Sequence, residues 1–246
     1  MDLNKRANEM KEFFNEKIDT YDELHLKIIE GKEKIVDFIP KSAKKIIDLG
    51  TGTGLQLIRL YKEFPNIKTI AIDVSDEMLK KLEERHISDN ITIINESFFD
   101  YDFGINIDAV ISTQALHHFE PNDKLALYKK VYNCLNNGGI FVNEDYFAET
   151  EELERKGFED YKNLARGEGK HYDTPLTIEH EIEILKEVGF KKVDKFETEN
   201  YRIVIAEKWF KKESIQMNEN KTNINWLITI YPRTEETSDK IRDCEN

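Results

Sequence analysis

The stretch "IIDLGTGTG", residues 46–54, sets glycine at positions 50, 52 and 54 and an acid, Asp48, just ahead of them. Glycines in a loop admit positive φ and let the main chain approach a ligand closer than any Cβ permits. Asp73 follows 23 residues past Gly50, at the end of a second apolar run, "KTIAIDV". In an open α/β sheet an acid at that place accepts hydrogen bonds from two ribose hydroxyls, so loop and acid together read as a nucleoside site. Taken singly, the loop also reads as a tight turn and Asp73 as an N-cap-like residue of "DVSDE". The dinucleotide fingerprint G-x-G-x-x-G is not met, because Leu55 follows Gly54. Asp48 would oppose a pyrophosphate but suits a ligand carrying an ammonium group. S-adenosylmethionine has an ammonium, a sulfonium and a ribose, and no phosphate.

These residues need a sheet to hold them, and the sequence supplies one. Apolar strand-type runs alternate with helical patterns from about residue 44 to residue 208: "KKIIDLG", "KTIAIDV", "ITIIN", "DAVIST" and "IFVNEDYF" are five strands, and "KKVDKFE" with "YRIVIAEKW" is a hairpin pair. Between them "GLQLIRLYKEF", "SDEMLKKLEERH", "NDKLALYKKVYNCL" and "TIEHEIEILKEVGF" have helical spacing. Ser75 caps the second of these helices, and "NNGG" is read as the stop of the third. The alternation predicts an α/β fold, a mainly parallel sheet wound on both faces with right-handed crossovers. Its strands are almost wholly apolar, as expected where helices cover both faces. Residues 1–39 read as a cap of two helices, 40–208 as the core with a charged insertion over 146–176, and 209–246 as a polar extension containing "INWLITIYP".

Composition narrows the partners. The formal net charge is −13, which disfavours nucleic acid and anionic membrane surfaces. The two cysteines, Cys134 and Cys244, make neither a disulfide framework nor a metal-ligand pattern. No apolar run approaches the ~18 residues of a membrane helix, and the N-terminus lacks the apolar stretch of a secretory signal, so a cytoplasmic protein is expected.

The segments "IIDLGTGTG", "IAIDVSDEML", "DAVISTQALHHF" and "LNNGGIFVNEDYF", in this order, resemble the class I S-adenosylmethionine-dependent methyltransferases, and most closely the small-molecule type similar to the quinone-biosynthesis enzymes. The resemblance implies a seven-stranded, Rossmann-like sheet with its last strand antiparallel. It also implies methyl transfer from S-adenosylmethionine to a small molecule, through oxygen or nitrogen, leaving S-adenosylhomocysteine. By the same resemblance Gly50, Thr51, Gly52 and Gly54 pass under the methionine part of the donor. Asp48 holds the loop and the amino group, Asp73 takes the ribose hydroxyls, Val74 and Met78 lie near the adenine, and Gln114 and Leu116 flank the methionine moiety. The family's adenine-binding Asp after the third strand is absent from "NESFFDYDF"; Ser97 replaces it and Phe98 stacks on adenine, or Phe98 is ordinary core. Tyr21, in "FFNEKIDTYDE", lines the transfer chamber or belongs to a stripe, with Phe14 and Ile18, packed on the sheet.

Methyl transfer from a sulfonium needs alignment and exclusion of water more than it needs a base. Where a proton must leave first, His117, His118 and Asp145 stand at strand ends and are candidate bases. Each also reads as structural: the histidines as satisfied buried residues, Asp145 as a surface acid or cap. Alternation puts Glu144 and Asp145 on opposite sides of their strand, with one expected to face the chamber. No carboxylate set persuasive for a metal is found, and none is expected. The insertion carries His171, Tyr172 and Asp173 beside Gly167 and Gly169 and reads as a lid or as a plain loop. Trp209 and Trp226 cover a sheet edge or form a homodimer contact. Two other functions compete, a non-catalytic S-adenosylmethionine sensor or scaffold and a nicotinamide oxidoreductase; the glycine spacing opposes the second.

Overall fold

A computed structural model describes residues 3–163 and 173–209. Seven strands form one sheet in the order β3-β2-β1-β4-β5-β7-β6. They are β1 (Lys45–Leu49), β2 (Lys68–Asp73), β3 (Ile91–Asn95), β4 (Ile107–Thr113), β5 (Leu135–Asp145), β6 (Lys192–Glu197) and β7 (Arg202–Glu207). The first five are parallel, and β7 runs antiparallel to both β5 and β6. The winding reverses between β1 and β4, which opens a crevice at the carboxyl ends of these two strands.

Alternation along the strands feeds two cores. Ile46, Ala109, Ile111, Ile140 and Val142 face α3 (Leu55–Glu63) and α4 (Asp76–Glu84), whose Leu57, Leu60, Leu79 and Leu82 complete that layer. Ile47, Leu49, Val110 and Phe141 face α5 (Pro121–Cys134) and α7 (Ile178–Val188) through Leu127, Tyr128, Val131 and Leu185. Ser75 caps α4 by accepting from the Met78 amide at 3.1 Å, and Thr177 caps α7 through the His180 amide at 3.3 Å. Beneath the second layer, Lys124 Nζ donates to Glu181 Oε2 at 2.9 Å, both side chains fully buried, with Tyr128 and Asn143 donating to the other carboxylate oxygen.

The N-terminal segment is α1 (Leu3–His25), a 3-10 turn, the short α2 (Ile29–Lys34) and a second 3-10 turn ending at Phe38. The charged segment after β5 holds a helix, α6 (Glu151–Asn163), where the sequence indicated only an insertion. A further difference concerns "NNGG". These residues lie inside β5, not between helix and strand: the register against β4 shifts between Ile107 and Ala109, and Gly138 takes φ +73°. A bulge thus absorbs the turn-forming residues that were read as a stop. Trp209 is largely exposed. His171, Tyr172, Gly167, Gly169, Trp226, Cys244 and "INWLITIYP" lie outside the described residues. Among the described residues no helix is long and apolar enough to cross a membrane.

Candidate functional site

The loop leaving β1 is tied to the end of β2. The amides of Gly50 and Thr51 both donate to the Ile72 carbonyl, at 2.9 and 3.0 Å, and the Gly52 amide donates to Asp73 Oδ2 at 2.8 Å. Gly50 and Gly52 have φ of +67° and +54°. A Cβ on Gly50 would stand 2.5 Å from Ala115 Cβ, and one on Gly52 3.0 Å from the Tyr21 hydroxyl. Both glycines therefore serve conformation and close approach together.

Around this loop lies a cavity of about 590 Å³ of empty space. It brings together Tyr21, Gly50, Gly52, Asp73, Val74, Met78, Ser97, Phe98, Gln114 and His118 from the residues singled out in the sequence. Asp73 accepts from Gly52 through one oxygen and from the Ser75 amide, 2.9 Å away, through the other; burial raises its pKa. Ser97 receives the Phe99 amide at 3.3 Å, and Phe98 packs on Phe99 and Phe119 with centroids 5.0 and 5.5 Å apart. Phe98 is thus both a cavity wall and part of the core. Gln114 holds a left-handed backbone, φ +53°, and its amide group donates to Glu144 Oε1 at 2.8 Å. Strained non-glycine backbone of this kind persists where the surroundings enforce it. Tyr21 stacks on His25 at 3.7 Å, and its hydroxyl pKa is raised by burial and by the nearby Asp73 and Asp22 carboxylates.

Other residues singled out stand behind the cavity wall. Asp48 is fully buried and accepts from Thr51 Oγ1 at 2.6 Å and Gln56 Nε2 at 2.7 Å. Burial pushes its carboxyl up to about 6, the two hydrogen bonds acting against that. Thr51 and Asp48 therefore brace the loop from beneath. Gly54 is the left-handed N-cap of α3, where a Cβ would meet Leu82, and it does not line the cavity. Leu116 belongs to the core with Phe119 and is not among the described residues lining the cavity, and its amide donates to Asp145 Oδ2 at 3.1 Å.

His117 and His118 sit on the 3-10 turn Leu116–His118 with rings 3.9 Å apart. His117 Nδ1 is 2.5 Å from Asp145 Oδ1. Burial alone would raise the Asp145 pKa; the His117 imidazole more than offsets this and holds it below the usual range. Asp173 Oδ1 stands 3.5 Å from His117 Nε2 and 3.3 Å from His118 Nδ1, and these three residues are a group whose donor atoms lie within 4.8 Å of one another, as a metal ion would require. His118 faces the first cavity. His117, Glu144, Asp145 and Asp173 line a second one, which shares Gln114 with the first. Glu144 and Asp145 thus both border open space, where one was expected, because the strand ends there.

Sequence reasoning missed several wall residues. Ala7, Met10 and Phe14 line the first cavity with Tyr21, and the helical recurrence 7, 10, 14, 21 was the available signal. Lys32 carried no signal. It is 2% exposed, donates to Thr113 Oγ1 at 3.2 Å, and has its pKa lowered by burial against the opposing charges of Glu144, Asp48 and Asp145.

Residues 46–139 match a family described as methyltransferase domain. The chain is 30% identical over 179 residues to the carboxy-S-adenosyl-L-methionine synthase of Nautilia profundicola, covering 66% of this chain and 76% of that protein. Among solved structures, the DhpI–SAH complex aligns with TM-score 0.65 at 15% identity, over 84% of this chain and 98% of the other. An O-methyltransferase family protein from Burkholderia thailandensis aligns with TM-score 0.61 at 15% identity over 78% of this chain; the present chain spans only 58% of that one.

Proposed function

Because the chain belongs to the class I S-adenosylmethionine-dependent methyltransferases, we propose that it transfers the methyl group of S-adenosylmethionine, held in the first cavity, to a small-molecule acceptor through oxygen or nitrogen. The observation that carries this is the cavity wall itself. A loop bare of side chains at Gly50 and Gly52 faces the carboxylate of Asp73, and no Lys or Arg is among the described lining residues. Such a wall fits a cationic nucleoside and would leave a phosphate unpaired.

Bound there, the donor supplies an activated methyl group that leaves by in-line displacement. Asp73 receives the ribose hydroxyls, and Val74, Met78, Ser97 and Phe98 enclose the base. Asp48 and Thr51 keep the loop in its left-handed path. Tyr21, Phe14 and Met10 from α1 exclude water over the reacting face, the main gain available to this reaction. The His117–Asp145 pair, set on the acceptor side, is poised to take a proton where the nucleophile carries one.

The test is binding and turnover. S-adenosylhomocysteine should raise the melting temperature by mass action, and S-adenosylmethionine with an acceptor should yield it as product. No shift at millimolar ligand would reject the reading. Binding without turnover on any acceptor would leave a sensor or scaffold. The name of the Nautilia relative supports a second reading, in which the donor itself gains a carboxyl group. That product is heavier than S-adenosylmethionine by one carboxyl substituent, so mass spectrometry separates the two.

A further inference from the structure

The second cavity, of about 850 Å³ of empty space, shares Gln114 with the first as a wall residue. Five carboxylates are among its described lining residues, those of Glu144, Asp145, Glu149, Asp173 and Glu199, against one guanidinium, Arg202, and the His117 imidazole. Arg202 is already engaged, donating to Glu149 Oε1 at 2.7 Å and to the Phe147 carbonyl at 3.0 Å. Asp145 is engaged by His117. Glu144 is not fully engaged. It is 1% exposed, Gln114 donates to its Oε1, and its Oε2 is buried with no hydrogen-bond partner among the described residues. A buried carboxylate oxygen without a donor is costly, and native structures seldom leave one without a reason. Lys32, the buried cation on that side of the sheet, spends its hydrogen bonds on the carbonyl and hydroxyl of Thr113 instead.

We infer that the second cavity is the acceptor site and that the acceptor is a cationic amine, its ammonium received by Glu144 Oε2 beside Gln114 and the rest of the molecule lying along Asp145 and Asp173. The inference rests on the methyl-transfer reading and gives it an acceptor class. A carboxylate or phosphate acceptor would bring a further negative charge against Glu144, and a neutral alcohol would supply a hydrogen bond without a compensating charge. An ammonium supplies the donor that Glu144 lacks. The reaction then balances as follows. The ammonium passes one proton to Glu144, and the freed nitrogen lone pair forms the N–C bond to the methyl carbon as the S–C bond breaks. The bonding pair stays on sulfur, giving S-adenosylhomocysteine and an N-methylammonium, and the proton on Glu144 leaves to water. Burial pushes Glu144 up to about 7, despite the opposing pull of Lys32, and a base of that strength suits the transfer near neutral pH.

The experiment uses the full chain saturated with S-adenosylhomocysteine and three matched probe series, read by calorimetry. The amines are butylamine, phenethylamine and spermidine; the alcohols are butanol and 2-phenylethanol; the carboxylates are butyrate and phenylacetate. At least one amine should bind tenfold or more tightly than the alcohol and carboxylate of its skeleton. Glu144→Gln, nearly isosteric, should remove that preference at least tenfold while changing S-adenosylhomocysteine affinity by less than twofold. With S-adenosylmethionine, the same amine should gain one methyl by mass. The inference is overturned if no amine binds, if an alcohol or carboxylate binds as well as its amine, or if Glu144→Gln keeps the preference. Failure of S-adenosylhomocysteine to bind at all would overturn the donor site, and this inference with it; failure of the amines alone would leave the donor site standing.

Discussion

Gly52→Ala separates the two duties of the glycine loop when it is set beside Gly104→Ala. Both glycines have left-handed backbones, φ +54° and +63°. An L side chain in that region costs about 1–2 kcal/mol, so each variant should lose roughly that much stability. In a domain of this size that corresponds to a fall of about 2–8 °C in Tm, small against a total stability of about 5–15 kcal/mol. There the likeness ends. A Cβ on Gly104 meets nothing within 4 Å, whereas one on Gly52 lies 3.0 Å from the Tyr21 hydroxyl, in the cavity. That hydroxyl is the end of a movable side chain, so the folded state tolerates the methyl, but a donor lying on the loop meets it directly. Overpacking of one methyl costs about 1–3 kcal/mol, or about 5- to 150-fold in the affinity for S-adenosylhomocysteine. Alanine is the better probe than valine, because a β-branched residue at positive φ adds strain that has nothing to do with the ligand. Calorimetry on the two variants, with thermal melts alongside, reads both quantities. Equal loss of affinity in Gly104→Ala would show that backbone strain alone explains the effect. Retention of affinity within twofold in Gly52→Ala would remove the loop from the donor site.

Asp73→Asn should weaken S-adenosylhomocysteine about 10- to 150-fold, the worth of a charge-assisted hydrogen bond of ~1.5–3 kcal/mol, with calorimetry as the readout; unchanged affinity would take the ribose away from Asp73. Glu144 has a folded pKa pushed up to about 7 by burial, above its unfolded value, so the stability it contributes is present at low pH and lost as pH rises through about 7. Asp48, pushed up to about 6, acts in the same direction, while His25, lowered to about 4 by burial, gains stability with pH over part of the same range. The Glu144→Gln variant isolates one group: its stability relative to the parent should climb by up to about 1.4 kcal/mol per pH unit between roughly pH 5 and 7, measured by denaturant titration. A flat difference would mean that Glu144 keeps its ordinary pKa. Lys124→Met leaves Glu181 as an uncompensated buried charge and should cost about 3–5 kcal/mol in the same titration. Its effect on S-adenosylhomocysteine affinity should stay below twofold, since the pair lies under α5 and α7 and lines neither cavity.

The parts legible in the sequence are those where neighbours along the chain carry the physics. Alternating strands and helices, the Ser75 cap and the glycine loop are local patterns, and the sheet follows from them. The place of Asp73 was legible because it closes the apolar run of β2. "NNGG" was misread because turn-forming residues can also sit in a bulge, and only the pairing of β5 with β4 decides between the two. Lys32 was invisible for a deeper reason. A lysine in "EGKEK" reads as a solvated helix face, and its burial is set by Thr113, Glu144 and Asp48, all distant in sequence. The burial of Leu116 was likewise not legible, because it is set by the 3-10 turn Leu116–His118 and the core around it.

How a donor reaches a site roofed by α1 follows from what holds that helix. Several of its contacts to the loops below are polar. Asp22 accepts from Thr53 Oγ1 at 2.6 Å and pairs with Arg85, Asn15 accepts from Ser75 Oγ at 2.6 Å, and Lys81 donates to the Ile18 carbonyl at 3.1 Å. Partly exposed pairs of this kind contribute about 0–1 kcal/mol each. The sheet beneath is held by two apolar cores, whose cost of opening approaches that of global unfolding. Thr53 and Ser75 sit beside Gly52 and Asp73, so the loops proposed to meet the donor are also loops that hold α1.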